Sequence, residues 1–180
     1  MIFRKLAWFF AVLCMAFLFF MSSRPIEQSR EDSARVMALF GLSDQVEYSG
    51  EVNEYGHVIL SQAHIMIRKY AHVVIYGALA VLYFGSIYGY FGKIIPTAII
   101  SLILATLYGI TDEIHQIFTN RGASVQDVFI NALGAIIGLA IISAIFFAIE
   151  KIPRVKAFFS YVYDFDPQLK LRRPPWKKSV

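Results

Sequence analysis

The residues that can do chemistry cluster in two short stretches of an otherwise apolar chain. One runs from Tyr108 to Gly138 and carries Asp112, Glu113, His115, Gln116, Arg121, Asp127 and Asn131. The other carries Arg68, Lys69, His72 and Tyr76. Asp112 or Glu113 beside His72 or His115 would form a general acid–base set. Arg68, Lys69 and Arg121 could hold phosphate or carboxylate groups, and a guanidinium suits bidentate contact. A histidine with these carboxylates could hold a divalent metal, but the ligand spacing matches no tight metal motif, so neither a metal nor another cofactor is expected. There is no Gly-x-Ser-x-Gly element and no phosphate-cradling glycine loop. Ser124, the one hydroxyl near Arg121, reads as a helix cap before Asp127.

Charge beside hydrocarbon is costly, about 2.5 to 3.5 kcal/mol for each ionised group at a helix centre. A chain keeps such groups where they pair, meet water or react. Asp112, His115 and Gln116 fall at i, i+3 and i+4 and should share one helical face. Asp127, Asn131, Gly134 and Gly138 should share another, where glycines let a second helix come close. Arg68, His72 and Tyr76 are each four apart.

Positioning them calls for membrane helices. The chain has 180 residues, 57% of them hydrophobic, with mean hydropathy +0.56, which is too apolar for an ordinary soluble domain. The expected fold is all-α: a polytopic membrane protein with four transmembrane helices in a compact bundle. The spans fall at about residues 6–21, 71–91, 94–114 and 128–149. Arg4 and Lys5 before the first apolar run would also suit a signal peptide. Phe, Met and Ser at the cleavage position favour an anchor. Between the first two spans, 22–67 reads as an outer loop holding a short amphipathic helix on the membrane surface from Ile26 to Leu42, with Ala34, Met37 and Ala38 on its apolar face. Residues 151–180 read as a basic cytoplasmic tail that contacts anionic lipid. Cys14 is the only cysteine, so no internal disulfide exists.

Charge is divided along the chain. Lys151, Arg154, Lys156 and the Lys170–Lys178 cluster lie in the tail, whereas Glu27, Glu31, Asp32, Asp44, Glu47, Glu51 and Glu54 lie in the loop. Arg4, Lys5 and Lys93 fall on the tail's side, and Arg24, Arg121, Arg68 and Lys69 on the other, with Arg30 and Arg35 farther along among acids. Both termini are therefore expected in the cytoplasm, with the polar stretches facing outward. This separation speaks for membrane lipids and against nucleic acid as partners.

The motif residues resemble the VanZ-like family of bacterial membrane proteins, named after a teicoplanin-resistance protein. The family's Asp-Glu-x-x-Gln, Arg and Asp-x-x-x-Asn-x-x-Gly elements are matched by Asp112, Glu113, Gln116, Arg121, Asp127, Asn131 and Gly134. Its Arg-Lys-x-x-His-Phe-x-Glu-Tyr element is matched by Arg68, Lys69, His72 and Tyr76, with Val73 in place of Phe and Ile75 in place of Glu. Ser22, Ser23, Ser29 and Ser33 resemble the family's segment after its first span. The resemblance covers roughly residues 1–150 and implies a VanZ-like domain in the bacterial plasma membrane. It also implies reduced susceptibility to lipoglycopeptides such as teicoplanin. Three functions stay open: binding or remodelling an amphiphilic envelope molecule such as a cell-wall precursor or lipoglycopeptide, a hydrolase or transferase acting on a lipid-linked phosphate, and a small transporter. The substrate-binding set is expected to be Arg68, Lys69, His72, Tyr76, Asp112, Glu113, Gln116, Arg121, Asp127 and Asn131. The catalytic candidates are His72, Asp112, Glu113 and His115.

Overall fold

The computed structural model describes residues 2–39, 62–119, 124–153 and 155. Arg121 and most of the basic tail therefore lie outside the described residues, as do residues 40–61 of the loop. The rest forms five helices: α1 (Ile2–Ser23), α2 (Ile26–Leu39), α3 (Gln62–Phe91), α4 (Ile94–Phe118) and α5 (Val125–Glu150). Among the described residues, four helices are long and apolar enough to cross a membrane: Phe3–Ser23, Ile65–Phe91, Ile94–Phe118 and Val125–Glu150. The chain is a multi-pass membrane protein. Its second and third spans run farther into polar sequence than hydropathy suggested, because the charged motifs continue the helices instead of starting loops.

On α4 a narrow stripe of small and polar residues faces the neighbouring helices, while its large aliphatic side chains are exposed. The buried stripe of α4 is Thr97, Ser101, Ala105, Gly109, Asp112, Glu113 and Gln116. These residues recur every three or four positions, as a helical face must. Ile95, Ile99, Ile103, Leu107 and Ile110 point out. Lipid tails are as apolar as leucine, so bulk hydrophobicity does not choose the inner face. Small residues choose it by letting backbones approach. Thr97 and Ser101 satisfy their hydroxyls on carbonyls one turn back, Lys93 at 2.7 Å and Thr97 at 2.8 Å.

The closest approach is α3 against α5. A Cβ at Gly134 would collide with the Val73 backbone, and one at Gly138 with the Gly77 backbone. The Gly134-x-x-x-Gly138 stripe is thus occupied within the chain. A tight turn at Gly92, with φ of 60°, reverses α3 into α4. The start of α3, the end of α4 and the start of α5 consequently share one end of the bundle. The end of α1 joins them, with Tyr108 Oη donating to the Met15 carbonyl at 2.6 Å and Thr119 Oγ1 to the Ser22 carbonyl at 3.3 Å. Arg4, Tyr90, Lys93 and Glu150 sit at the opposite end, where the Arg4 guanidinium lies over the Tyr90 ring, 4.2 Å from its centroid.

The helix expected after the first span is α2, but its inner face differs from the one anticipated. Ser29, Ser33 and Met37 are buried, whereas Ala34 is half-buried and Ala38 exposed. The small hydroxyl residues fit against α3, with Ser33 donating to the Ser29 carbonyl at 2.9 Å. An ion pair between Arg24 and Asp32 ties the connection to the first turns of α2.

Candidate functional site

The face of α4 that carries the acids is Gly109, Asp112, Glu113 and Gln116. Asp112 and Glu113 are each 4% exposed and Gln116 is 2%. The Gln116 amide nitrogen donates to both neighbours, at 3.4 Å to Asp112 Oδ2 and 3.2 Å to Glu113 Oε1. Tyr76, from α3, donates its hydroxyl to the same Asp112 oxygen at 3.1 Å. Glu113 Oε2 accepts the Ser124 backbone N–H at 3.2 Å. That contact anchors the start of α5 to α4, and the Ser124 side chain caps α5 by accepting from the Gln126 N–H at 3.2 Å. The capping role read from the sequence for Ser124 is borne out.

From α3, His72 reaches Asn131 on α5, with Nδ1 and Oδ1 2.9 Å apart. A carbonyl oxygen only accepts, so Nδ1 carries the proton and the lone pair of the neutral ring lies on Nε2. Asn131 is 1% exposed, and its Nδ2 has no hydrogen-bond partner among the described residues. One ligand atom from each of His72, Asp112 and Glu113 falls within 4.8 Å of the other two. Its members come from two helices, with the rest of α3, the Gly92-Lys93 turn and most of α4 between His72 and Asp112, so no short ligand motif marks the set along the chain. Among the described residues the one ion pair is Arg24 with Asp32, so neither carboxylate has a cationic partner there.

Two cavities flank this centre, and Arg68 and His72 line both. The smaller, about 60 Å³, is completed by Lys69 and Asp127 with Ile65 and Ile130. The larger, about 150 Å³, lies between α1, α2 and α3. Its wall is mostly apolar, with Phe17, Leu18, Met21, Val36, Ile67 and Ile75, while Ser29, Ser33 and Asp32 form a polar edge. Ile75, which replaces the carboxylate of the resembled motif, is part of that apolar wall.

Nine of the eleven residues proposed for the site from sequence meet around this centre or its cavities. Arg121 lies outside the described residues. His115 is placed elsewhere. Its Nε2 is 2.9 Å from Ser23 Oγ and its ring stacks on Phe19 at 4.3 Å between centroids. The face shared with Asp112 and Gln116 is completed by Glu113, because α1 packs against α4 on the side that His115 occupies. Sequence reasoning missed the contribution of α2 to the larger cavity, although the four-residue spacing of Ser29, Ser33 and Met37 carried the signal.

The family model for VanZ/LLP1 matches residues 7–147. The chain belongs to the VanZ/LLP1 family. The match runs from the first turns of α1 to the last turns of α5, so the whole four-span bundle and both motif stretches are the VanZ-like unit. No curated protein and no solved structure matches the chain.

Proposed function

We propose that this VanZ-like protein binds an amphiphilic component of the bacterial cell envelope at the outer face of the plasma membrane. The observation that carries the reading is the double membership of Arg68 and His72, which line a polar pocket and an apolar cavity at once. A molecule with an anionic head and an acyl chain matches that pairing. Its head would lie against Arg68 and Lys69, its chain against Leu18, Val36, Ile67 and Ile75. Burial of the chain contributes about 0.8 kcal/mol per methylene, and the guanidinium gives the head a directional contact.

The outward orientation rests on the Lys and Arg near the spans. Arg4, Lys5, Lys93 and Lys151 belong to the bundle end opposite the site, and such residues gather on the cytoplasmic side. Both termini are then cytoplasmic. The site opens where cell-wall precursors and lipoglycopeptides reside, which supports a role in teicoplanin susceptibility.

The test is expression in a glycopeptide-susceptible host. The wild-type chain should raise the inhibitory concentration of teicoplanin more than that of an unacylated glycopeptide, and Arg68→Ala or Asp127→Ala should abolish the increase at equal membrane levels. Full protection by both variants would overturn the reading. A second reading, a hydrolase or transferase acting on a lipid-linked phosphate, is favoured by His72, Asp112 and Glu113 converging beside Arg68. Turnover of such a substrate, lost in Glu113→Gln, would establish it.

A further inference from the structure

Two carboxylates, each 4% exposed and without a described cationic partner, are an electrostatic problem. Burying one ionised carboxylate costs several kcal/mol even after relaxation, and two side by side repel. Neutral donors soften the cost. Tyr76, Gln116 and the Ser124 N–H supply four hydrogen bonds, but they do not cancel two charges. A protein that wanted only a polar joint between helices would reach it with amides and hydroxyls, as Thr97 and Ser101 do farther along the same stripe.

The third member of the group changes what it can hold. His72 gives its Nδ1 proton to the Asn131 carbonyl oxygen, so Nε2 is left as a donor atom for a Lewis acid. A metal-binding histidine whose other ring nitrogen donates to a carbonyl is the usual outer-sphere arrangement, fixing tautomer and ring orientation. A second observation points the same way. Asn131 Nδ2 is buried and has no partner among the described residues. It lies beside Gly109, 3.5 Å from where a Cβ on that glycine would sit, on the same face of α4 as Asp112. An orphaned donor there is suited to an oxygen that protein atoms do not supply.

We propose that His72, Asp112 and Glu113 hold a single divalent cation of the zinc and manganese class. Imidazole nitrogen favours zinc and its neighbours, carboxylate oxygen favours manganese, and a one-nitrogen, two-carboxylate set lies between them. Bonds of about 2.0 to 2.2 Å place the donors around one ion within about 4.4 Å of each other. One ligand atom from each of the three residues lies within 4.8 Å of the other two, close to that limit. Three protein ligands leave coordination positions free for water or an oxygen of a bound molecule. The ion would also add positive charge beside Arg68, yet it needs no amphiphile to bind.

The experiment uses the full chain in detergent micelles, stripped with a chelator and then equilibrated with Mn²⁺ or Zn²⁺ alone. Bound metal is counted by mass spectrometry, and Mn²⁺ is followed by its paramagnetic resonance spectrum. Wild type should retain one equivalent and gain thermal stability as the ion is titrated. Asp112→Asn and Glu113→Gln should each lose the ion. Asn131→Ala should bind it about 10- to 100-fold more weakly. Each variant's melting transition without metal establishes that it is folded, so loss of the ion is not loss of the protein. No retention of either ion by wild type, or equal retention by the Asp112→Asn, Glu113→Gln double variant, would overturn the site. An intact metal site with no teicoplanin effect would leave this inference standing and remove the amphiphile reading alone.

Discussion

The two ends of the bundle handle polar groups differently. At the end holding Lys93, the polar groups meet in separate pairs. Tyr88 donates to Glu150 Oε1 at 2.7 Å, Thr97 bonds the Lys93 carbonyl, and Arg4 lies over Tyr90. At the other end, Asp112, Glu113, His72, Gln116 and Asn131 share one centre, one amide nitrogen has no partner among the described residues, and two cavities open beside it. The same four helices close both ends, so packing does not require the second pattern. What the contrast teaches is that stability is met by single hydrogen bonds, and the denser cluster answers another demand.

Three substitutions break or sharpen that contrast. The largest effect is expected at the helix contact on which the site end depends. Gly134→Leu drives a side chain into the Val73 backbone, and overpacking of this kind costs about 3 kcal/mol or more. The variant should fail to give a monodisperse peak by size-exclusion chromatography in detergent, whereas Leu133→Ala, an exposed neighbour, should elute as wild type does.

A middle-sized effect of opposite sign is expected for Asp112→Asn in metal-free protein. Asp112 Oδ2 accepts from both Tyr76 and Gln116, and an amide oxygen there keeps both bonds while removing the buried charge. A gain of about 1 kcal/mol, which is about 2 to 4 °C in Tm for a chain of this size, should appear by differential scanning fluorimetry. Glu150→Gln at the other end should change Tm little. Equal shifts at the two ends would erase the contrast.

The smallest effect belongs to Tyr88→Phe. Losing its bond to Glu150 should cost about 0.5 kcal/mol, the low end for one hydrogen bond, read as a modest fall in Tm with the site untouched.

Much of this molecule is legible in its sequence for definite reasons. Twenty or so apolar residues in a row leave few structures that satisfy the backbone in hydrocarbon, and the helix is one of them. The four spans and the glycine stripe on α5 follow directly. The period of 3.6 residues places Asp112 with Gln116, Asp127 with Asn131, and Arg68 with His72. That period alone does not choose among adjacent faces of α4. His115 and Glu113 were both within reach of the inner face, and the choice fell to α1, which takes the His115 side through Ser23 and Phe19. Ser29 and Ser33 were read as part of the segment that follows the first span, and only the fold shows them lining the cavity between α1, α2 and α3.

What the linear chain determined, then, was the set of helices, their alternation across the membrane and the end at which their charged segments gather, because each depends on local hydropathy and on counting turns. Which side chains touch was decided by tertiary structure alone. His72 meets Asn131 across α3 and α5, and shares a centre with Asp112 and Glu113 across α3 and α4. Those meetings depend on how closely two backbones pass and at what rotation, and Gly77, Gly134 and Gly138 set that distance by omitting a carbon atom.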